Sequence, residues 1–232
     1  MLRTLYDWPA SLIPLNSSVR FVSTVDEGRV SRRSFENDTS VPGGRVHLSM
    51  EFNYWQDTPD IEAISWLKSK LRGNIFRVPI GLTAQVARNR DLGLSDWAYR
   101  TGIPFDGDVF FDESIGFEFE PTLETISTAL EGTTSIVIDE TRWPGLLRYG
   151  KWIGIGFGAY HIADLDRSGS TVTVEIEPPL RRDVAAGEFV SLRPSLICQA
   201  RDASSFVSMF EPADLIQPGS LVLTEVIDER FL

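Results

Sequence analysis

The sequence predicts a mainly β protein of the α+β class, with one clear helix. Many short segments alternate apolar and polar side chains, as strands with one buried face do. Only the segment 61–72 repeats its apolar residues with the helical period, and from Thr133 onward short strand-like segments recur with turn residues between them. We therefore expect a sheet-plus-helix domain and a second, small domain that is a β-barrel or β-sandwich.

The composition is that of an acidic globular protein. Of the 232 residues, 42% are hydrophobic and 24% are charged, which is close to the usual globular balance. The net charge of −11 disfavours a general nucleic-acid surface, because such surfaces depend on Lys and Arg. No apolar run approaches the ~18 residues of a spanning helix, and Asp7, Pro9 and Pro14 interrupt the apolar residues near the start. We therefore expect neither membrane insertion nor secretion.

Two strands are predicted before the helix. The segment 19–25 is strand-like, and the segment 45–52 alternates strictly between apolar and polar residues. His47 lies on the polar face of the second strand, where we expect a solvated side chain rather than a metal ligand.

The helix has well-marked ends. Thr58 is a typical N-cap, Pro59 is typical of the first helical position, and Gly73 is typical of a left-handed stop. Because the strand-like segment 75–80 follows at once, we expect the apolar stripe of the helix to pack against a sheet. The stripe consists of Ile61, Ile64, Leu67 and Leu71.

The segment 82–114 has no periodicity and is interrupted by turn formers and charges. Loops longer than ~12–15 residues are uncommon inside compact domains and tend to be functional. Because several aromatic side chains rarely lack a partner surface, we interpret this segment as a long loop ordered by a neighbouring subunit, or one that folds back on its own domain. The candidate subunit-contact residues are Arg88, Arg90, Trp97, Tyr99, Phe105, Phe110 and Phe111.

No residue pattern predicts a metal, cofactor or catalytic site. The acids of the segment 106–113 lack the spacing of an EF-hand, so turn chemistry and solvation explain them better than a bound calcium ion. Gly154, Gly156 and Gly158 alternate with apolar residues, which is typical of one face of a strand and not of a phosphate-binding loop. Cys198 lies in an apolar run, as a core cysteine does, and the nucleophile, zinc and Walker motifs are missing. We therefore expect no enzyme activity and no cofactor.

The later part of the chain predicts a barrel or sandwich followed by a return to the first domain. A polar turn at 164–170 joins two strand-like runs, which indicates a β-hairpin. The expected division is a first domain at 1–120 with its long loop at 82–114, a barrel at 121–203, and a C-terminal segment at 204–232 that returns to the first domain. The predicted barrel strands are 136–138, 152–157, 160–163, 171–177 and 189–192.

Most of the chain resembles the minor tail and distal tail proteins of long-tailed bacteriophages. The N-terminal part is similar to theirs in Trp8-Pro9-Ala10, in the helix 61–72 with Arg72-Gly73, and in Phe76-Arg77-Val78-Pro79. The later part is similar to their β-barrel segment in GTTSIVI (132–138), LRYGKWI (147–153) and IEPPLR (176–181).

This resemblance implies a ring-forming first domain in a distal tail protein, at the end of the tail tube. The implied partners are further copies of the chain, with a hexamer preferred to a trimer, the tail tube protein, the baseplate hub and other tail-tip proteins. DNA would pass through the channel without specific binding, and net acidity suits such a channel, since a basic lumen would hold phosphates. The implied location is the tail tip of the virion, assembled in the host bacterial cytoplasm.

Two other classes of function remain open at this point. A stand-alone carbohydrate-binding β-sandwich module would present aromatic platforms such as Trp55, Trp97 or Trp143. A carboxylate hydrolase would use a pair of acids that share one face of a strand. The candidate pairs are Glu118 with Glu120 and Glu175 with Glu177.

Overall fold

The computed structural model describes residues 4–9, 12, 14–22, 44–52, 58–80, 86–92, 120–201 and 220–227. In this part of the chain it confirms the predicted fold class, a mainly β protein with a single α-helix and two sheets of six strands. The strands are β1 (Leu5–Asp7), β2 (Asn16–Val22), β3 (Arg45–Glu51), β4 (Ile75–Pro79), β5 (Thr122–Thr125), β6 (Ser135–Asp139), β7 (Trp152–Ile155), β8 (Gly158–Ser168), β9 (Thr171–Glu177), β10 (Phe189–Ser191), β11 (Ser195–Ala200) and β12 (Ser220–Glu225).

The first sheet combines strands from both ends of the chain, in the order β1-β4-β11-β12-β3-β2. The β1–β4 pair is parallel, and the other neighbours are antiparallel. Strand β3 alternates as predicted, with Val46, Leu48 and Met50 buried and His47 half-buried on the opposite face. At β3 this sheet therefore has one face in a hydrophobic core and one face that carries polar side chains.

Helix α1 (Thr58–Lys70) packs on the buried side of this sheet. Ile64, Leu67 and Leu71 are fully buried, whereas Ile61 is 38% exposed, so the predicted four-residue stripe holds for three. Successive residues are 100° apart around the helix axis, so Ile61 lies roughly 90° from the mean direction of Ile64, Leu67 and Leu71. Ile61 is therefore at the edge of the buried face. Gly73 adopts a φ of 78°, the left-handed stop that the sequence predicts.

The second sheet closes into a barrel in the order β10-β5-β6-β9-β8-β7. Apolar residues of its strands point inward and form a separate core. Trp152 and Ala159 belong instead to the core of the first sheet, so the outer side of the β7–β8 pair lies against that sheet. The barrel is inserted between β4 and β11 of the six-stranded sheet.

Three details differ from the sequence prediction. The polar run 164–170 is not a loop, because β8 continues to Ser168 and only Gly169 and Ser170 form the turn. Gly169 makes this two-residue turn possible with a φ of 66°. The long polar run belongs to a strand whose outer face is solvated.

The glycines at 154, 156 and 158 do not share one strand. Gly154 lies in β7, Gly156 occupies the turn, and Gly158 begins β8. A Cβ atom at Gly154 would lie 3.1 Å from the Pro194 backbone, and one at Gly158 would lie 2.8 Å from the Tyr160 ring. A Cβ atom would therefore clash with Tyr160 at Gly158 and crowd Pro194 at Gly154, and Gly156 adopts a positive φ of 58°.

The predicted barrel boundary at 203 is also wrong. Strand β11 pairs with β4 and β12, so the chain leaves the barrel after β10. Leu196, Ile197 and Cys198 are all buried, which is typical of a central strand covered on both faces. Because such a strand does not alternate, its pattern gives no sign that the chain has changed sheets.

Candidate assembly surfaces

Of the seven predicted contact residues, the structure describes Arg88 and the backbone of Arg90. Arg88 is exposed, and its backbone N–H donates to the Asp91 carboxylate at 3.2 Å, next to the 3-10 helix Asn89–Leu92 that contains Arg90. The other five lie outside the described residues, as do the acids of the segment 106–113. These five are Trp97, Tyr99, Phe105, Phe110 and Phe111.

The segment around Arg88 rests on the barrel. The backbone N–H of Ala87 donates to the Leu192 carbonyl at 3.3 Å, and the Lys151 ammonium donates to the Val86 carbonyl at 2.9 Å. The Lys151 ammonium also lies 3.9 Å from the Asp91 carboxylate. Burial lowers the pKa of Lys151, Asp91 opposes this effect, and Arg88 adds to it together with Arg148. This surface is therefore cationic but internally paired.

A buried carboxylate holds the loop that connects β6 to β7. Glu140 is 2% exposed and accepts hydrogen bonds from the Leu147 backbone at 2.7 Å and from Arg167 Nε at 3.0 Å. Burial alone would raise the pKa of Glu140, but the hydrogen bonds from Arg167, Leu147 and Gly145 and the Arg167 charge lower it below its ordinary value. The loop thus presents Tyr149, which is 77% exposed, on a preorganised backbone.

A buried ion pair joins the barrel to the six-stranded sheet. Arg181, which follows β9, places its Nη2 atom 3.0 Å from Oε2 of Glu225 in β12. The same Nη2 atom donates to the Gly44 carbonyl at 2.7 Å, and Glu225 accepts the Val46 N–H at 2.9 Å. Arg181 also donates its backbone N–H to the Tyr160 hydroxyl at 3.2 Å. This network fixes one sheet on the other.

Sequence reasoning missed both members of this pair. The alternation of β12 places Glu225 on the buried face together with Leu221 and Leu223. A charged residue at a buried strand position indicates a buried partner, and this was the signal that the sequence offered. Its partner Arg181 lies 44 residues away along the chain, so no spacing rule connects the two.

The polar face of the six-stranded sheet carries a basic cluster. His47 is opposite Arg20 on one side and Thr224 on the other, and Arg45 and Arg201 lie close to it. Burial, followed by the positive charges of Arg201, Arg20 and Arg45, lowers the pKa of His47 below its ordinary value of 6.5. The Thr224 hydroxyl is buried without a hydrogen-bond partner in the described part of the chain. We call Arg20, Arg45, His47 and Arg201 the basic face.

The outside of the barrel carries the opposite charge. Asp164 in β8 is directly opposite Glu175 in β9, and Asp166 and Glu177 lie on the same outer side. All four side chains are exposed. Like charges directly opposite each other in a sheet are destabilising. We call these four residues the acidic face.

Large apolar side chains are exposed on the barrel as well. Leu130 is 70% exposed and Phe189 is 62% exposed, and Ile126 is also exposed. Phe189 borders an open groove of about 290 Å³ on the outer side of β5, β10 and β7. The other groove residues are Glu120, Thr122, Gly154, Gly156, Glu188 and Ser191.

The described residues offer no clustered reactive groups. Within the ranges given above, no three His, Cys, Asp or Glu side chains come together as a metal site requires. Cys198 is buried, and burial raises the pKa of its thiol. Glu175 and Glu177 are exposed on the convex outside of the barrel, whereas Glu118 lies outside the described residues. The described chain contains no helix with the length and apolar character needed to cross a membrane.

Of the tryptophans considered as sugar platforms, Trp143 is described. It packs against the barrel core, and the Arg142 guanidinium lies 4.5 Å from its ring centre. Trp55 and Trp97 lie outside the described residues.

No protein-family model matches the chain, and no curated protein matches it.

Proposed function

We propose that this protein is a structural component of a phage tail tip. It is a distal tail protein that forms a ring, joins the tail tube to the baseplate hub and host-recognition proteins, and leaves a channel for DNA. It has no catalytic role. The proposal extends the resemblance of the Trp8-Pro9-Ala10, 132–138, 147–153 and 176–181 segments to tail proteins.

The observation that carries the proposal is the buried Arg181–Glu225 network between the two sheets. A ring subunit must hold its contact surfaces at fixed positions relative to each other. A rigid junction between two β units does this. Charged and apolar groups on the outside of both units supply contact surfaces without any reacting group.

The proposal is tested by the mass of the purified protein over a dilution series, measured by multi-angle light scattering. A ring former shows a discrete species of several subunits at high concentration, and six subunits are expected. A monomer at every concentration, including the highest attainable, contradicts the ring proposal.

The groove beside Phe189 favours a second candidate, a carbohydrate-binding module. An exposed aromatic ring can stack on a sugar ring, and the neighbouring Glu120 and Glu188 can accept hydrogen bonds from sugar hydroxyls, although Arg182 already pairs with Glu188. A glycan array separates the two proposals. Binding that is lost in Phe189→Ala, in a protein that stays monomeric, would support the module over the ring.

A further inference from the structure

The basic face is unusual in a chain of net charge −11. Three arginines act on one half-buried histidine, and no acid of the described ranges contributes to the shift of that histidine's pKa. None of the three arginines lies within 4.0 Å of a carboxylate in the described ranges. Their mutual repulsion is therefore not offset by an ion pair among these residues.

The acidic face has the converse property. Asp164 and Glu175 are opposite each other across the β8–β9 pair, and neither forms an ion pair with a described residue. A surface that brings cations to these acids relieves an unfavourable cross-strand contact. The two faces belong to different sheets, so one copy of the chain carries both signs of charge in separate places.

Another cationic surface, formed by Arg88, Arg148 and Lys151, is a weaker complement for the acidic face. The Lys151 ammonium is already satisfied by the Val86 carbonyl and Asp91. The arginines of the basic face have no such carboxylate among the described residues, and a carboxylate can form charge-assisted hydrogen bonds with each guanidinium.

We propose that the basic face of one copy docks on the acidic face of the next copy, as a head-to-tail contact. Such a contact uses two different patches on each subunit, and repetition of it closes a ring when the rotation permits. Charge complementarity fixes the register and orientation of the two surfaces. This inference rests on the proposed function, because it names the surfaces through which the ring would form.

Two sets of charge reversals test the contact. Arg20→Glu with Arg201→Glu makes both faces acidic, and Asp164→Arg with Asp166→Arg and Glu175→Arg makes both faces basic. Each variant repels its own copies, so the dissociation constant for self-association should rise at least tenfold. In an equimolar mixture, every contact between unlike variants is again complementary, and the assembly returns with an even number of subunits. Light scattering of each variant and of the mixture gives the result.

Matched controls exclude an effect of total charge. Arg72→Glu with Arg148→Glu, and Glu62→Arg with Glu124→Arg and Glu131→Arg, reverse the same numbers of exposed charges outside both faces and should assemble like the wild type. Circular dichroism and thermal unfolding establish that each variant is folded. Raising NaCl from 50 to 500 mM should weaken wild-type assembly, because exposed charge pairs are screened.

Every other outcome contradicts the proposed contact between the basic face and the acidic face. If both folded variants assemble like the wild type, the contact is wrong and the ring proposal stands. If the mixture of folded variants stays dissociated, the two faces do not pair with each other. If the wild type is monomeric throughout, the contact and the ring proposal both fail. If Arg20→Glu with Arg201→Glu abolishes retention on duplex DNA and leaves assembly unchanged, the basic face binds nucleic acid instead.

Discussion

Glu225 and Arg181 show how a charged pair can occupy a core. Both side chains are almost fully buried, and the remaining hydrogen-bonding groups of the pair reach the Gly44 carbonyl and the Val46 N–H. Desolvation makes such a pair a weak net source of stability, but removal of one partner leaves a buried charge without compensation. The pair is therefore best understood as a fixed junction between the sheets.

Replacement of Glu225 tests this junction. Glu225→Gln should lower the free energy of unfolding by about 3 kcal/mol, because the Arg181 charge stays buried without its counterion. Urea unfolding measures the loss. Asp7→Asn is the control, since it disrupts the exposed Asp7–Arg77 pair, and it should cost less than ~1 kcal/mol. Equal losses in the two variants would show that the buried pair has no special role.

Glu140 gives the stability a specific dependence on pH. Its pKa in the folded protein is below the ordinary value of 4.5, so its ionised form stabilises the fold. That contribution is complete above the ordinary pKa and is lost as the pH falls through the lower folded pKa. We expect Glu140→Gln to destabilise by about 2 kcal/mol at pH 7, and this difference from the wild type should shrink below pH 4.5.

The measurement is the free energy of unfolding of both proteins at several pH values. Glu131→Gln serves as a control, because Glu131 is exposed and has no ion-pair partner among the described residues. A difference between Glu140→Gln and the wild type that stays constant from pH 7 to pH 3 would refute the assignment.

At the scale of elements, the helix and the alternating strands could be predicted from the sequence because their signals are local. Gly73 ends the helix as its residue type indicates, and β3 places His47 on the polar face. β11 and the β8–β9 turn could not be predicted, because the central position of β11 and the length of β8 depend on distant strands. The local periodicity of a strand does not indicate which sheet the strand joins.

Two isoleucines of helix α1 give an element-scale test of the packing. Ile64 is fully buried in the core of the six-stranded sheet, whereas Ile61 lies at the edge of the same helical face. Ile64→Ala should cost about 2–5 kcal/mol of unfolding free energy through lost burial and a residual cavity. Ile61→Ala, the matched control, should cost less than half as much. Comparable losses would mean that the helix packs differently.

At the scale of the whole molecule, the barrel is an insertion in a sheet built from both ends of the chain. The sequence indicates two β units, since short strands recur after Thr133, but it does not specify the junction between them. Five of the seven predicted contact residues lie outside the described ranges, so their role as contacts stays a prediction. The basic face was missed because its residues come from three separate parts of the chain, and strand pairing brings them together.

The central claim is that copies of this chain close into a ring. Negative-stain electron microscopy of the concentrated protein, with averaging of the particle images, tests it most directly. The account predicts closed rings with a central opening, sixfold in preference to threefold. Single particles of one subunit, or open filaments without closure, would contradict it.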